Sequence, residues 1–156
     1  MRRLLPASRS HVDLADQVSP LQLIEARLAV EPFTTRLPVL HATRRTLDEM
    51  EVVLKHAEES IEDKDSLDGE FHLLIAHASG NPLLINVYRQ INHVRLHAQW
   101  EAMKEKILTP DVIAAYNRQH RSIFSALNER DAQSAFSLIT EHLEKARDDL
   151  VKANSP

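Results

Sequence analysis

The chain has 156 residues, 43% apolar and 27% charged, the balance of one globular domain, and its lack of cysteine excludes disulfides, thiolate nucleophiles and sulfur-bound zinc. A formal charge of −4 disfavours direct DNA binding by this chain, and neither a membrane span of roughly 20 apolar residues nor a signal-peptide stretch is present. Two glycines and few runs rich in Val, Ile and Thr weigh against a sheet and remove glycine-rich phosphate loops, so the expected fold class is all-α.

Residues 1–18 carry no apolar pattern and are expected to be irregular, ahead of one domain over 19–151 and a frayed tail over 152–156. Ser19-Pro20, Asn81-Pro82 and Thr109-Pro110 each pair a capping side chain with a proline suited to the first helical position, so each opens a helix. From Pro20, the residues Leu21, Leu23, Ile24 and Leu28 recur at helical spacing. Pro32 then either kinks this helix or starts a new one, and Pro38 adds a second break. Thr43 caps a segment to about Ser60 with Leu47, Met50, Val53, Leu54 and Ala57 on one face, and 61–66 reads as a charged loop. A short helix from about Leu67 to Ala78 stops at Gly80, which suits the left-handed position after a helix end. One helix is expected from Pro82 to about Lys106, with Leu84, Val87, Ile91, Val94 and Ala98 as its stripe and Trp100 well round from it. The helix from Pro110 to about Arg130 aligns Ile113, Tyr116, Asn117, His120, Phe124 and Leu127. Asp131 caps the last helix, whose inward set is Ala135, Ile139, His142, Leu143, Ala146 and Leu150. About six helices with short connections make an antiparallel bundle.

Without cysteine, any transition metal must be held by imidazole and carboxylate, and nine histidines are available. Asp68 and His72 stand four apart, on one face of the short helix. The turn near Arg130 folds the last two helices antiparallel and leaves His120 and His142 about 10 and 12 residues from it, at nearly one height. If the short helix packs on that hairpin, one carboxylate and three imidazoles meet in the interior, a set suited to Zn, Ni, Mn or Fe(II). Each of the four taken singly also fits an ordinary hydrogen-bonded core or half-exposed residue; together they point to a metal. His93 and His97 share the spacing but sit off the stripe, as surface or pocket lining, and His11, His41, His56 and His77 are ordinary.

Leu23-Ile24-Glu25-Ala26-Arg27-Leu28-Ala29-Val30-Glu31-Pro32, Asp68-Gly69-Glu70-Phe71-His72, Ser79-Gly80-Asn81-Pro82, Gln119-His120 and Glu141-His142-Leu143 together resemble the C-terminal effector domain, called FCD, of FadR-type regulators in the GntR family. The similarity spans about residues 19–151, and Asp-x-x-x-His followed by two later histidines marks the metal-binding branch. The resemblance implies that Asp68, His72, His120 and His142 hold a divalent transition metal, zinc first, on which a small carboxylate metabolite binds. It also implies a homodimer in the bacterial cytoplasm that is not an enzyme. Family members ordinarily carry a winged helix-turn-helix of some seventy residues, whereas about 18 precede the domain here, so the DNA reader is expected to be missing.

Arg27, at the family's arginine position, either forks onto an effector carboxylate or makes a surface ion pair with Glu31 at i+4. Trp100 with Arg95 either walls the same cavity, or the indole covers the bundle end or a dimer contact. Two other classes keep the same fold. One is a helical metallohydrolase or oxygenase built on the three His and one Asp, although no second acid or base stands at useful spacing to serve it. The other is a truncated dimerisation partner of full-length regulators.

Overall fold

The computed structural model describes residues 13–60 and 64–155. His11 and the rest of 1–12, positions 61–63 of the expected charged loop, and Pro156 lie outside the described residues. Among the described residues the chain forms α1 (Leu14–Gln17), α2 (Pro20–Arg36), α3 (Pro38–His41), α4 (Arg44–Glu59), α5 (Lys64–Ala78), α6 (Pro82–Arg95), α7 (Ala98–Ile107), α8 (Pro110–Asn128) and α9 (Ala132–Ala153). The all-helical architecture read from the sequence is therefore observed, with nine helical segments among the described residues where about six were expected.

Local chemistry sets most helix starts. Ser19 and Gln22 form a reciprocal capping box at the head of α2, and Thr43, Asn81, Thr109 and Asp131 each accept a backbone N–H at the first turn of α4, α6, α8 and α9. Gly80, at φ +70°, takes the left-handed position between α5 and α6. Arg130 is also left-handed at φ 60°, and its guanidinium reaches across to the carbonyls of Pro38, Val39 and Ala42.

The structure departs from several of these expectations. Of the two outcomes open at Pro32, the start of a new helix is ruled out: α2 runs through it, because one lost backbone bond, about 3 kcal/mol, is outweighed by a face that buries Leu23, Ile24, Arg27 and Glu31. The single helix expected over Pro82 to Lys106 is two, broken at Leu96, with His97 accepting the Gln99 N–H as the cap of α7. The segment before residue 18 contains one helical turn, α1, capped by Asp13 and anchored by buried Ala15. Residues 64–66 of the expected loop belong to α5, and Lys152 and Ala153 of the expected tail belong to α9. Leu21, apolar and at helical spacing with Leu23, Ile24 and Leu28, is 40% exposed.

The main core lies between α4, α5, α8 and α9, where Met50, Leu54, Phe71, Ile75, Ile123, Leu127, Ile139 and Leu143 are almost entirely buried. The long helix α9 also packs along α2 and beside α8. A smaller cluster joins Ala15, Leu23, Ile91 and Val94 with the partly buried Trp100. Thus α2, α5, α8 and α9 surround one interior space, and every one of them brings a polar side chain into it.

Candidate metal centre and adjoining cavity

The apolar faces of α5, α8 and α9 each carry histidine where a hydrocarbon would otherwise pack. His72, His120 and His142 are buried, at 2%, 3% and 3% exposure. His120 Nε2 lies 3.3 Å from His72 Nε2, 3.0 Å from His142 Nε2 and 2.9 Å from Asp68 Oδ1. One ligand atom from each of these four residues lies within 4.8 Å of all the others. The structure thus gathers the four residues that helical spacing picked out.

The donor set fits a divalent cation. His120 Nε2 faces three polar atoms but can donate at most one proton, so hydrogen bonds alone cannot satisfy the cluster. Outer contacts favour inward lone pairs: His142 Nδ1 meets Gln119 Oε1 at 2.7 Å, which places the proton on Nδ1 and leaves Nε2 free to coordinate. Arg95 pairs with Asp68 and orients its carboxylate.

Electrostatics point the same way. Burial opposes the Asp68 charge, but Arg95 and then His120 and His72 outweigh it and hold the carboxyl well below its usual range. Burial pushes the His120 imidazole down, against the pull of Asp68. His142 is held well below the usual imidazole value by burial and by neighbouring His120 and His72. An anionic carboxylate and neutral imidazoles are the protonation states a metal requires. His72 differs: burial opposes its charge, but Glu31 and Asp68 outweigh burial and raise the imidazole, so a metal there competes with a proton.

Beside this cluster opens a cavity with free volume of about 70 Å³, walled by Arg27, Arg95, Trp100, Lys104, Tyr116 and Asn117 and by apolar side chains of α4, α5 and α7. A water takes about 10–15 Å³ on this scale, so the space suits a small ligand. Three buried N–H groups of its lining, Arg27 Nη2, Arg95 Nη1 and Trp100 Nε1, have no acceptor. Unpaired buried donors are costly, and three of them on residues that line one cavity favour an acceptor-rich guest there.

The predicted site residues sort clearly. Arg27 does pair with Glu31, but the pair is buried, at 4% and 1% exposure, rather than on the surface, and Arg27 also lines the cavity. Arg95 and Trp100 wall the same cavity. His93 and His97 lie apart, pairing with Asp13 and Asp16 beside α1. His41, His56 and His77 are exposed. Glu31, Gln119 and Lys104 were not singled out as site residues. Glu31 sits one helical turn beyond Arg27 on the buried face of α2, and that spacing was the available signal.

The FCD domain profile matches residues 22–145, and the chain belongs to this family, whose members are domains of transcriptional regulators rather than enzymes. It is 28% identical over 141 residues to the Uxu operon regulator of Haemophilus influenzae, covering 88% of this chain and 53% of that protein. It is 25% identical over 146 residues to the Uxu operon transcriptional regulator of Escherichia coli, covering 90% of this chain and 57% of that one. The chain therefore spans about half the length of the curated relatives it matches. Among solved structures, a GntR protein of Streptococcus agalactiae superposes with a TM-score of 0.70 over 92% of this chain and 64% of the other, at 23% identity, which establishes the shared fold. No helix among the described residues is long and apolar enough to cross a membrane.

Proposed function

We propose that these residues are the effector-sensing domain of a cytoplasmic GntR-type transcription regulator, with one divalent metal held by Asp68, His72, His120 and His142 and a small organic or sugar acid bound beside it. The observation that carries this reading is the convergence of three imidazole Nε2 atoms and a carboxylate oxygen at the wall of a cavity lined with unpaired donors. A divalent cation supplies a Lewis-acidic anchor for an anionic oxygen. Arg27 and Arg95 supply charge and N–H donors at fixed positions, and Trp100 supplies an apolar wall with a further donor. Zinc heads the candidates, with Ni, Mn and Fe(II) compatible with the same ligands.

The net charge of −4 supports a sensing rather than a DNA-gripping role for these residues. A homodimer completes the reading, supported by a surface hollow edged by Phe33, Leu37, Val39, Leu40 and Leu84, in which Phe33 and Leu40 are 64% and 78% exposed. Light scattering after size exclusion gives its mass directly.

The decisive experiment is a melting-temperature screen of C3 to C6 hydroxy and keto acids on metal-loaded and metal-free protein. A ligand of the folded state at a hundredfold excess over Kd adds about 2.7 kcal/mol, a readily visible shift. A shift confined to the loaded protein supports the reading; equal shifts in both forms contradict metal-dependent binding.

A further inference from the structure

Behind the metal ligands, Glu31 occupies a position that none of the residues discussed so far duplicates. It projects from α2, is 1% exposed, and uses its two oxygens on two different partners. Oε2 accepts from Arg27 Nε at 2.7 Å. Oε1 faces His72 Nδ1 at 2.8 Å, off the ideal hydrogen-bond direction, and neither of these two atoms has another hydrogen-bond partner. One buried carboxylate thus touches both a cavity-facing guanidinium and the rear nitrogen of an imidazole whose front nitrogen belongs to the four-residue cluster.

We infer that Glu31 is a positioning residue that fixes the His72 ring with its proton on Nδ1 and Nε2 turned to the metal, while holding Arg27 against the cavity, so that one side chain aligns both the metal and the anion sites. This inference rests on the metal-binding reading above. An imidazole ligand needs its second nitrogen held by an acceptor, which selects the tautomer and raises the basicity of the coordinating nitrogen. His142 obtains this from the neutral amide of Gln119, whereas His72 faces a carboxylate. Because Glu31 spends one oxygen on each partner, Glu31→Gln retains only one acceptor for two donors and also loses the charge. Removal of such an outer partner typically weakens metal binding 10–100-fold. The same change unties Arg27, which then has no buried counter-charge within its own helix.

The test uses Zn(II) as probe on the 156-residue chain. Zinc affinity is measured by competition with a chromophoric chelator for the wild type and Glu31→Gln, with circular dichroism as the folding control. In parallel, long-range 1H–15N correlation of the zinc-loaded wild type reads the His72 ring nitrogens. Expected are a zinc-binding wild type, a folded variant binding 10–100-fold more weakly, and a His72 ring protonated on Nδ1 and coordinating through Nε2. If the wild type takes no zinc, the metal reading itself falls. If the wild type binds and a folded Glu31→Gln matches it within about twofold, only the role of Glu31 is overturned. Should the variant fail to fold, the ring spectrum decides: coordination through Nδ1 overturns the inference, and Nε2 coordination with an Nδ1 proton supports it.

Discussion

His120 Nε2 sits 3.0 Å from His142 Nε2 across the α8–α9 hairpin, a contact that two protonated imidazoles could not sustain in a buried space. A cation between ring nitrogens replaces this mutual frustration with coordination. On the proposed reading, replacing His142 with Ala removes a metal ligand while leaving the apolar packing of α9 largely in place. The expected outcome is at least a tenfold loss of zinc affinity and a smaller melting difference between loaded and metal-free protein. Calorimetric titration checks the first and thermal denaturation the second.

Gly69 directly follows Asp68 of this cluster and lies against α6. An added Cβ would stand 3.3 Å from Asn92 Oδ1 and 3.4 Å from Arg95 Nη1. Gly69→Ala should crowd the Asn92 side chain and, through the adjoining Arg95, disturb the pairing with Asp68, lowering zinc affinity severalfold even though alanine favours the helix. An affinity equal to the wild type would show that Arg95 yields without disturbing the carboxylate.

Spacing within single helices made most of the site legible in advance. Asp68 and His72 share a face because they are one turn apart, and His120 and His142 meet because a hairpin places equidistant residues level. What stayed hidden depended on packing between helices. The pairing of Glu31 with Arg27 was visible as an i, i+4 option, but its burial and its reach to His72 follow from how α2 lies in the bundle. The break at Leu96 carries no glycine or proline, and its cap is a histidine rather than the usual Ser, Thr, Asp or Asn, so periodicity ran through it. Pro32 left two outcomes open in the sequence, and burial along α2, which outweighs one missing backbone bond, decides between them.

Stability away from the site should follow the core. Ile139 is fully buried on α9 among α4, α5 and α8 side chains, so Ile139→Ala is expected to cost about 2–5 kcal/mol in urea unfolding of the metal-free protein. Asp131→Ala removes a cap that accepts the Ser134 N–H at 3.0 Å and should cost about 1 kcal/mol. A cap loss equal to the core loss would contradict the assignment of stability to the buried cluster.

Arg27 gives a test of the cavity that leaves the four ligands untouched. With the acid that produces the largest melting shift in the loaded wild type, Arg27→Ala should lose at least half of that shift, because the acid then keeps the metal contact but loses a charged donor. An unchanged shift would return Arg27 to a structural partner of Glu31 alone.

The central claim is that the three imidazoles and Asp68 form a metal site, and elemental analysis of protein purified without chelator tests it most directly. The account predicts about one divalent transition-metal ion per chain in the wild type, and a content far below that in His120→Ala, whose Nε2 lies closest to the other three ligand groups. A wild type that carries no metal and takes up none from added zinc, or a His120→Ala variant that retains full metal, would contradict it.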